Sequence, residues 1–228
     1  MISRLQIQRR APGSSAWRVL VWWNGVILIL KLLLVVFYRF RSYGQENIPK
    51  TGALLFVGNH QSNFDPAIMG AAVYDRPFHG IARDTLFESK LLSILMKGFG
   101  VIAIRRGESD TKAIRRALQE LEEGRCVMMF PEGTRTKDGQ IAEFQRGFWL
   151  LMKKSKATVV PIGLDGAFDA YPVGSKPKLR GYIEACIGKP IRTAELLELG
   201  EEKGTAYVRS RIELLKTKCR ESIEKRLS

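Results

Sequence analysis

The chain has 228 residues, 45% hydrophobic and 26% charged, with a formal net charge of +14. These proportions exclude a disordered chain and suffice for one α/β domain with a sizeable core. The positive balance narrows the partners to a polyanion, an anionic membrane or phosphorylated substrates.

Residues 1–50 carry eight Lys/Arg (Arg4, Arg9, Arg10, Arg18, Lys31, Arg39, Arg41 and Lys50) against one acid, Glu46, a net +7. The same region is the most apolar. Nucleic-acid binders do not combine these properties in one segment, whereas membrane-surface proteins do, so membrane lipids with anionic headgroups are the expected partner and nucleic acid is not. Of the 20 residues 19–38, only Asn24, Gly25 and Lys31 fall outside the apolar set. This length matches a membrane span, and Trp17, Trp22 and Trp23 suit the headgroup region. A single span would place Arg4, Arg9, Arg10 and Arg18 away from a cytosolic domain. That favours an interfacial anchor, with Asn24-Gly25 as a candidate break between two short helices. The expected organisation is an anchor over 1–40, a linker over 41–50 and a catalytic domain over 51–228. The localisation that follows is the cytoplasmic face of a cell membrane.

From residue 51 short apolar runs alternate with segments of helical period. Strands are predicted over 53–58, 78–82, 101–105, 126–130, 158–163 and 181–188. Helices are predicted over 66–74, 86–97, 110–123, 147–154 and 206–227. The last carries Val208, Ile212, Leu215, Cys219 and Ile223 on one face, as core packing requires. Alternation predicts an α/β fold, a largely parallel central sheet flanked by helices. Cys126, Cys186 and Cys219 are widely spaced and read as reduced core thiols; with only two histidines in the chain, no metal site is expected.

Ligands of open α/β sheets collect beyond the carboxyl ends of strands. Three marked stretches fall there: Asn59-His60-Gln61-Ser62-Asn63-Phe64-Asp65-Pro66, Ile104-Arg105-Arg106-Gly107 and Phe130-Pro131-Glu132-Gly133-Thr134-Arg135-Thr136. If they converge, His60 and Asp65 form a base with its orienter, and the arginines form a site for an anionic group. No serine or cysteine stands in a nucleophile-elbow context, so the reacting hydroxyl is expected to be the substrate's own. Plainer readings stand beside these. Asp65 before Pro66 fits a helix N-cap. Arg105-Arg106 fits solvated strand-end charge, Gly133-Thr134 a turn, and Glu132 a surface acid. His79 also has an aspartate five residues on, Asp84. The intervening Gly80-Ile81-Ala82 reads as strand, which holds the two about 16 Å apart on opposite faces. Gln61-Ser62-Asn63 can turn. His79 is therefore read as a strand or core-edge histidine.

These residues resemble the glycerolipid acyltransferases, specifically the 1-acyl-glycerol-3-phosphate (lysophosphatidic acid) type. Four blocks occur in order: Asn59–Asp65 as N-H-x-S-x-x-D, residues 100–106 ending in Arg105-Arg106, Phe130–Arg135 as F-P-E-G-T-R, and Val159-Val160-Pro161-Ile162. The resemblance covers roughly residues 45–190. It implies His60 as general base and Asp65 as its orienter. It also implies Arg105 and Arg106 on the acceptor phosphate, the block holding Glu132, Gly133, Thr134 and Arg135 at the acceptor site, and Pro161 in the pocket wall. Arg83 matches a basic position of the family. Gln145 stands where lysine is common, with Arg146 as the candidate replacement, and Ala103 is smaller than the usual aromatic. The implied reaction uses acyl-CoA or acyl carrier protein as co-substrate, no cofactor and no metal.

Overall fold

In the computed structural model, which describes residues 10–15, 17–104 and 111–228 (of Leu86 the backbone alone), seven strands form one sheet. In chain order they are β1 (Arg41–Tyr43), β2 (Leu54–Gly58), β3 (Phe78–Arg83), β4 (Ile102–Ile104), β5 (Cys126–Met129), β6 (Thr158–Asp165) and β7 (Glu184–Ile187). The spatial order is β1-β7-β6-β2-β5-β3-β4. Every pairing is parallel except β6 with β7. The helices are α1 (Ile27–Tyr38), α2 (Asp65–Ala72), α3 (Lys90–Phe99), α4 (Thr111–Glu122), α5 (Arg146–Ser155), α6 (Ala167–Ala170) and α7 (Thr193–Leu227).

A strand covered on both faces needs no polar alternation, and all five residues of β2 are buried. Its side chains alternate between two cores. Leu54 and Phe56 join Trp23, Ile27 and Leu34 of the amino-terminal segment and Ile68 and Met69 of α2. Leu55 and Val57 join Ala117 and Leu121 of α4, Phe148 and Leu151 of α5, and Val208 and Ile212 of α7. The result is a helix–sheet–helix sandwich in which each large buried side chain contributes about 1.5–3 kcal/mol. Cys126, Cys186 and Cys219 are free and buried.

The amino-terminal segment departs from expectation in two respects. It is unbroken at Asn24-Gly25: a π-helical stretch, Arg18–Val26, passes directly into α1. Asn24 Oδ1 accepts from Arg10 Nη2 at 3.3 Å. Nor are residues 41–50 a free tether, because Arg41–Tyr43 pairs with β7 as an edge strand. Arg-Ser-Tyr has too little apolar content to mark a strand, and the neighbouring β7 supplies the ladder. The apolar segment and the sheet thus share one core. α1 nonetheless leaves Leu28, Ile29, Leu32, Leu33 and Val36 exposed along its outer face, and Leu91 and Ile94 of α3 are exposed as well.

At the carboxyl end, α7 begins thirteen residues before the predicted 206, with a non-helical Gly200 (φ 79°) inside it. Glycine at that position hid the first segment of the helix from periodicity. The predicted stripe of Val208, Ile212, Leu215, Cys219 and Ile223 is buried as expected.

Candidate active site

The site begins where β2 stops. Asn59 fastens the exit to the neighbouring β6, its Nδ2 donating to Leu164 O (3.0 Å) and its Oδ1 accepting Leu164 N–H (2.8 Å). The chain then turns through Gln61-Ser62-Asn63 into α2. This turn returns Asp65 to His60, and His60 Nδ1 lies 2.7 Å from Asp65 Oδ2. The same oxygen accepts the backbone N–H of Gln61 (2.6 Å) and of Ser62 (2.7 Å). Asp65 therefore does not cap α2: the cap position is Phe64, without a side-chain bond, and the carboxylate faces back into the turn.

Three donors on one oxygen fix the tautomer. Asp65 Oδ2 is an acceptor throughout, so His60 carries its proton on Nδ1 and keeps Nε2 as the free base nitrogen. The ring stacks on Phe130, with centroids 4.2 Å apart and planes 8° from parallel. It remains 20% exposed, whereas Asp65 is wholly buried. Burial pushes the Asp65 carboxyl above its ordinary value, and its Oδ1 has no hydrogen-bond partner among the described residues. The His60 ring and the Ser62 and Gln61 amides pull the other way by bonding the charged form.

The turn after β5 locks onto this loop. His60 N–H donates to Glu132 Oε1 (2.7 Å), and Thr136 N–H donates to His60 O (2.8 Å). Glu132 Oε2 accepts Ala142 N–H at 2.9 Å. Glu132 is thus neither a surface acid nor an open acceptor-site group. It is a buried brace with both oxygens engaged, and burial raises its carboxyl above the ordinary range against those two bonds. Gly133 holds φ +68°, and a Cβ there would lie 3.2 Å from Gln145 Cγ. The backbone conformation is the one that favours glycine, and a Cβ would press tightly on the Gln145 side chain. Gln145, in the position where lysine was the expectation, therefore lies against this turn.

The cations gather unevenly. Arg83, exposed at the end of β3, reaches Gly133 O at 3.4 Å. Thr134 is exposed and Arg135 half-buried in the same turn, and Arg146 is exposed as the first residue of α5. Arg105 and Arg106 lie outside the described residues, as does Asp110, the first residue of the helix predicted over 110–123. β4 ends at Ile104 opposite Arg83. Pro161 is not in the loop: it is buried inside β6 opposite Val57, where its carbonyl accepts Gly188 N–H at 2.8 Å.

His79 is elsewhere. It stands near the amino end of β3, donating from Nδ1 to Gly100 O (2.8 Å). Its Nε2 is 3.2 Å from Arg18 Nη1 and 3.3 Å from Glu120 Oε2. Burial and then the Arg18 charge bring its pKa down to about 4, so it is neutral. Among the described residues no hydrogen bond or ion pair joins it to Asp84.

Sequence reasoning missed the supports. Ser62 Oγ donates to Tyr171 O (2.9 Å), and Gln61 Nε2 reaches Asp165 Oδ1 (3.4 Å), which Arg220 Nε faces across Oδ2 at 2.6 Å. Phe64 meets both Tyr38 of α1 (5.3 Å) and Tyr171 (5.1 Å). Only the polar block 59–63 signalled any of this, and its partners lie about a hundred residues on.

Fold and site together define an α/β domain with a pair of buried aspartate and partly exposed histidine at the carboxyl ends of a mostly parallel sheet. The Acyltransferase family pattern matches residues 39–165, more than half of the chain, and the chain belongs to that family. It is 33% identical over 159 residues to a chloroplastic 1-acyl-sn-glycerol-3-phosphate acyltransferase of Arabidopsis thaliana, covering 68% of this chain and 44% of that protein. The chain spans about half the length of such relatives. It is 24% identical over 177 residues to the 1-acyl-sn-glycerol-3-phosphate acyltransferase of Bacillus subtilis, covering 78% of this chain and 86% of that one. The crystal structure of the 1-acyl-sn-glycerophosphate acyltransferase of Thermotoga maritima superposes with a TM-score of 0.73 at 24% identity, covering 87% of this chain and 80% of that one. That likeness establishes the shared fold.

Proposed function

We propose that the chain transfers an acyl group from a thioester to the sn-2 hydroxyl of 1-acyl-sn-glycerol-3-phosphate, forming phosphatidic acid for phospholipid synthesis. The observation that carries this reading is the 2.7 Å His60–Asp65 pair in a member of the Acyltransferase family. His60 Nε2 takes the hydroxyl proton as the oxygen attacks the thioester carbonyl. Asp65 stabilises the imidazolium that results. The tetrahedral oxyanion collapses, the C–S bond breaks, and the leaving thiolate takes the proton back from Nε2. Atoms and charge balance with no metal or bound cofactor in the scheme. Phe130, Glu132 and the Gln61 and Ser62 amides act by positioning. Arg83, Arg135 and Arg146, with Arg105 and Arg106, are the cations for the acceptor phosphate. The donor is acyl-CoA or acyl carrier protein.

The outer face of α1 and the exposed leucines of α3 support attachment to one leaflet, on the cytoplasmic side where thioesters are supplied. A helix with one face in the protein core and the other apolar and exposed fits an interfacial anchor better than a lipid-surrounded span.

The test is thiol release by the purified protein in detergent. Lysophosphatidic acid, glycerol-3-phosphate and other lysolipids are each offered with acyl-CoA and with acyl carrier protein thioester. Lysophosphatidic acid is expected to be the preferred acceptor. His60→Ala is expected to lose at least about 10³-fold in kcat, and folded His79→Ala to retain activity. An active His60→Ala protein overturns the assignment.

A further inference from the structure

At its carboxyl end α1 stops at Arg39, which holds the left-handed conformation (φ 45°). Glycine takes that conformation at no steric cost, and arginine does not. The Arg39 guanidinium donates to Tyr182 Oη and lies over that ring, 4.8 Å from its centroid. Arg226 also lies 4.9 Å from the Tyr182 centroid, but it is neutralised by Glu184 at 2.6 Å. Arg39 and the exposed Arg180 have no carboxylate partner among the described residues. A cavity of about 450 Å³ opens between them, lined by Val36, Phe37, Arg39, Arg180, Gly181 and Tyr182.

The cavity has two chemistries. Val36 and Phe37, 63% and 43% exposed, continue the outer apolar stripe of α1. The two arginines form a cationic rim. The adjoining loop adds Lys176, Lys178 and Leu179, the last 81% exposed. It is tied to the helix end, since Tyr38 Oη donates to Lys178 O (2.7 Å) and Gly181 N–H donates to Phe37 O (3.2 Å). The sheet sets its height. Glu184, two residues after Tyr182, pairs with Asp165 at the carboxyl end of β6. The cavity is therefore at the same end of the sheet as His60, toward the β1–β7 edge.

We propose that this cavity binds an anionic glycerophospholipid of the bilayer. The phosphate lies between Arg39 and Arg180, and an acyl chain lies along Val36 and Phe37. This rests on the reading of α1 as an interfacial anchor and adds a lipid site distinct from the acceptor site. Free phosphate would leave the apolar wall unused. A bound headgroup here holds the carboxyl end of the sheet, and with it His60, at the level of the bilayer surface.

The test uses the full chain in non-ionic detergent micelles, with native mass spectrometry of retained lipid. The probes are phosphatidylglycerol and phosphatidylcholine of identical chains. Wild type is expected to retain phosphatidylglycerol preferentially. Arg39→Gly, which keeps the backbone conformation, and Arg180→Ala should each weaken retention roughly fivefold. Equal retention of the two lipids, or unchanged retention by the double variant, overturns the proposal. Displacement by inorganic phosphate at equal concentration assigns the site to free phosphate and overturns it too. Thiol release by the double variant in the same detergent should match wild type; a fall at saturating acceptor moves these arginines into the reaction site and refutes a separate one. A wild type that retains phosphatidylglycerol but turns over no thioester sinks the transferase reading and leaves this one standing.

Discussion

Asp65→Asn separates the charge of the dyad from its architecture. Asparagine keeps an oxygen for the Gln61 and Ser62 amides and for His60 Nδ1–H, but it cannot stabilise an imidazolium by charge. Alanine is the poorer probe, because it strands three donors now bound at 2.6–2.7 Å, each at a cost of about 1–3 kcal/mol. Opposite unit charges at the 2.7 Å separation attract by about 6 kcal/mol at an effective dielectric constant of about 20. Remaining dipoles and solvent recover part of this. The expected loss is about 4–5 kcal/mol of transition-state stabilisation, a fall of about 10³-fold to 10⁴-fold in kcat. KM for the acceptor should change little, since Asp65 is wholly buried. The assay is initial-rate thiol release, with thermal unfolding measured in parallel. A folded Asp65→Asn protein within tenfold of wild-type kcat would refute the dyad.

Glu132→Gln replaces a carboxylate that accepts two backbone N–H groups by a side chain able to accept on one atom only. We expect a stability loss of about 1–3 kcal/mol in denaturant titrations, with kcat reduced more than KM raised. A pure KM effect would return Glu132 to the acceptor site. His79 should make the fold acid-sensitive. Its folded pKa of about 4 lies below the unfolded value, so the stability of the neutral form is complete above pH 6.5 and is lost as pH falls toward 4. The loss reaches about 3 kcal/mol. His79→Gln should flatten the fall in urea midpoint between pH 7.5 and 4.5, and parallel slopes in the two proteins would count against it.

What the sequence made legible follows from the range of each interaction. β2 is apolar at every position because helices cover both its faces, so a local run sufficed to find it. The His60–Asp65 pair was legible because its members stand five positions apart across the polar turn Gln61-Ser62-Asn63. β1 was not, since Arg41-Ser42-Tyr43 is extended by pairing with a strand some 140 residues later. Glu132 shows the same limit. Its position in a motif was plain, but its use as a brace depends on Ala142 and on a backbone amide 72 residues earlier. The block pattern marked Pro161 and His60 alike, yet the structure places one inside a strand and the other at a strand's exit.

The amino-terminal segment bears on how chemistry and membrane are joined. A tethered anchor would leave the catalytic sheet free to tumble above the bilayer. Here Ile27 and Leu34 share a core with Phe56 and Ile68, and Tyr38 packs on Phe64 one residue before Asp65. The helix that offers Leu32 and Val36 to the outside is thus a wall of the domain that holds the dyad. Under the proposed attachment to a leaflet, its orientation in lipid would set that of His60. Leu32→Glu with Val36→Glu, at positions 61% and 63% exposed, should therefore leave thermal unfolding unchanged while reducing vesicle co-sedimentation at least tenfold. Turnover of bilayer-embedded acceptor should fall with binding, and turnover of acceptor in detergent micelles should persist. Loss of both activities in a folded variant would mean that the outer face of α1 serves the acyl chain of the substrate directly and is not an anchor alone.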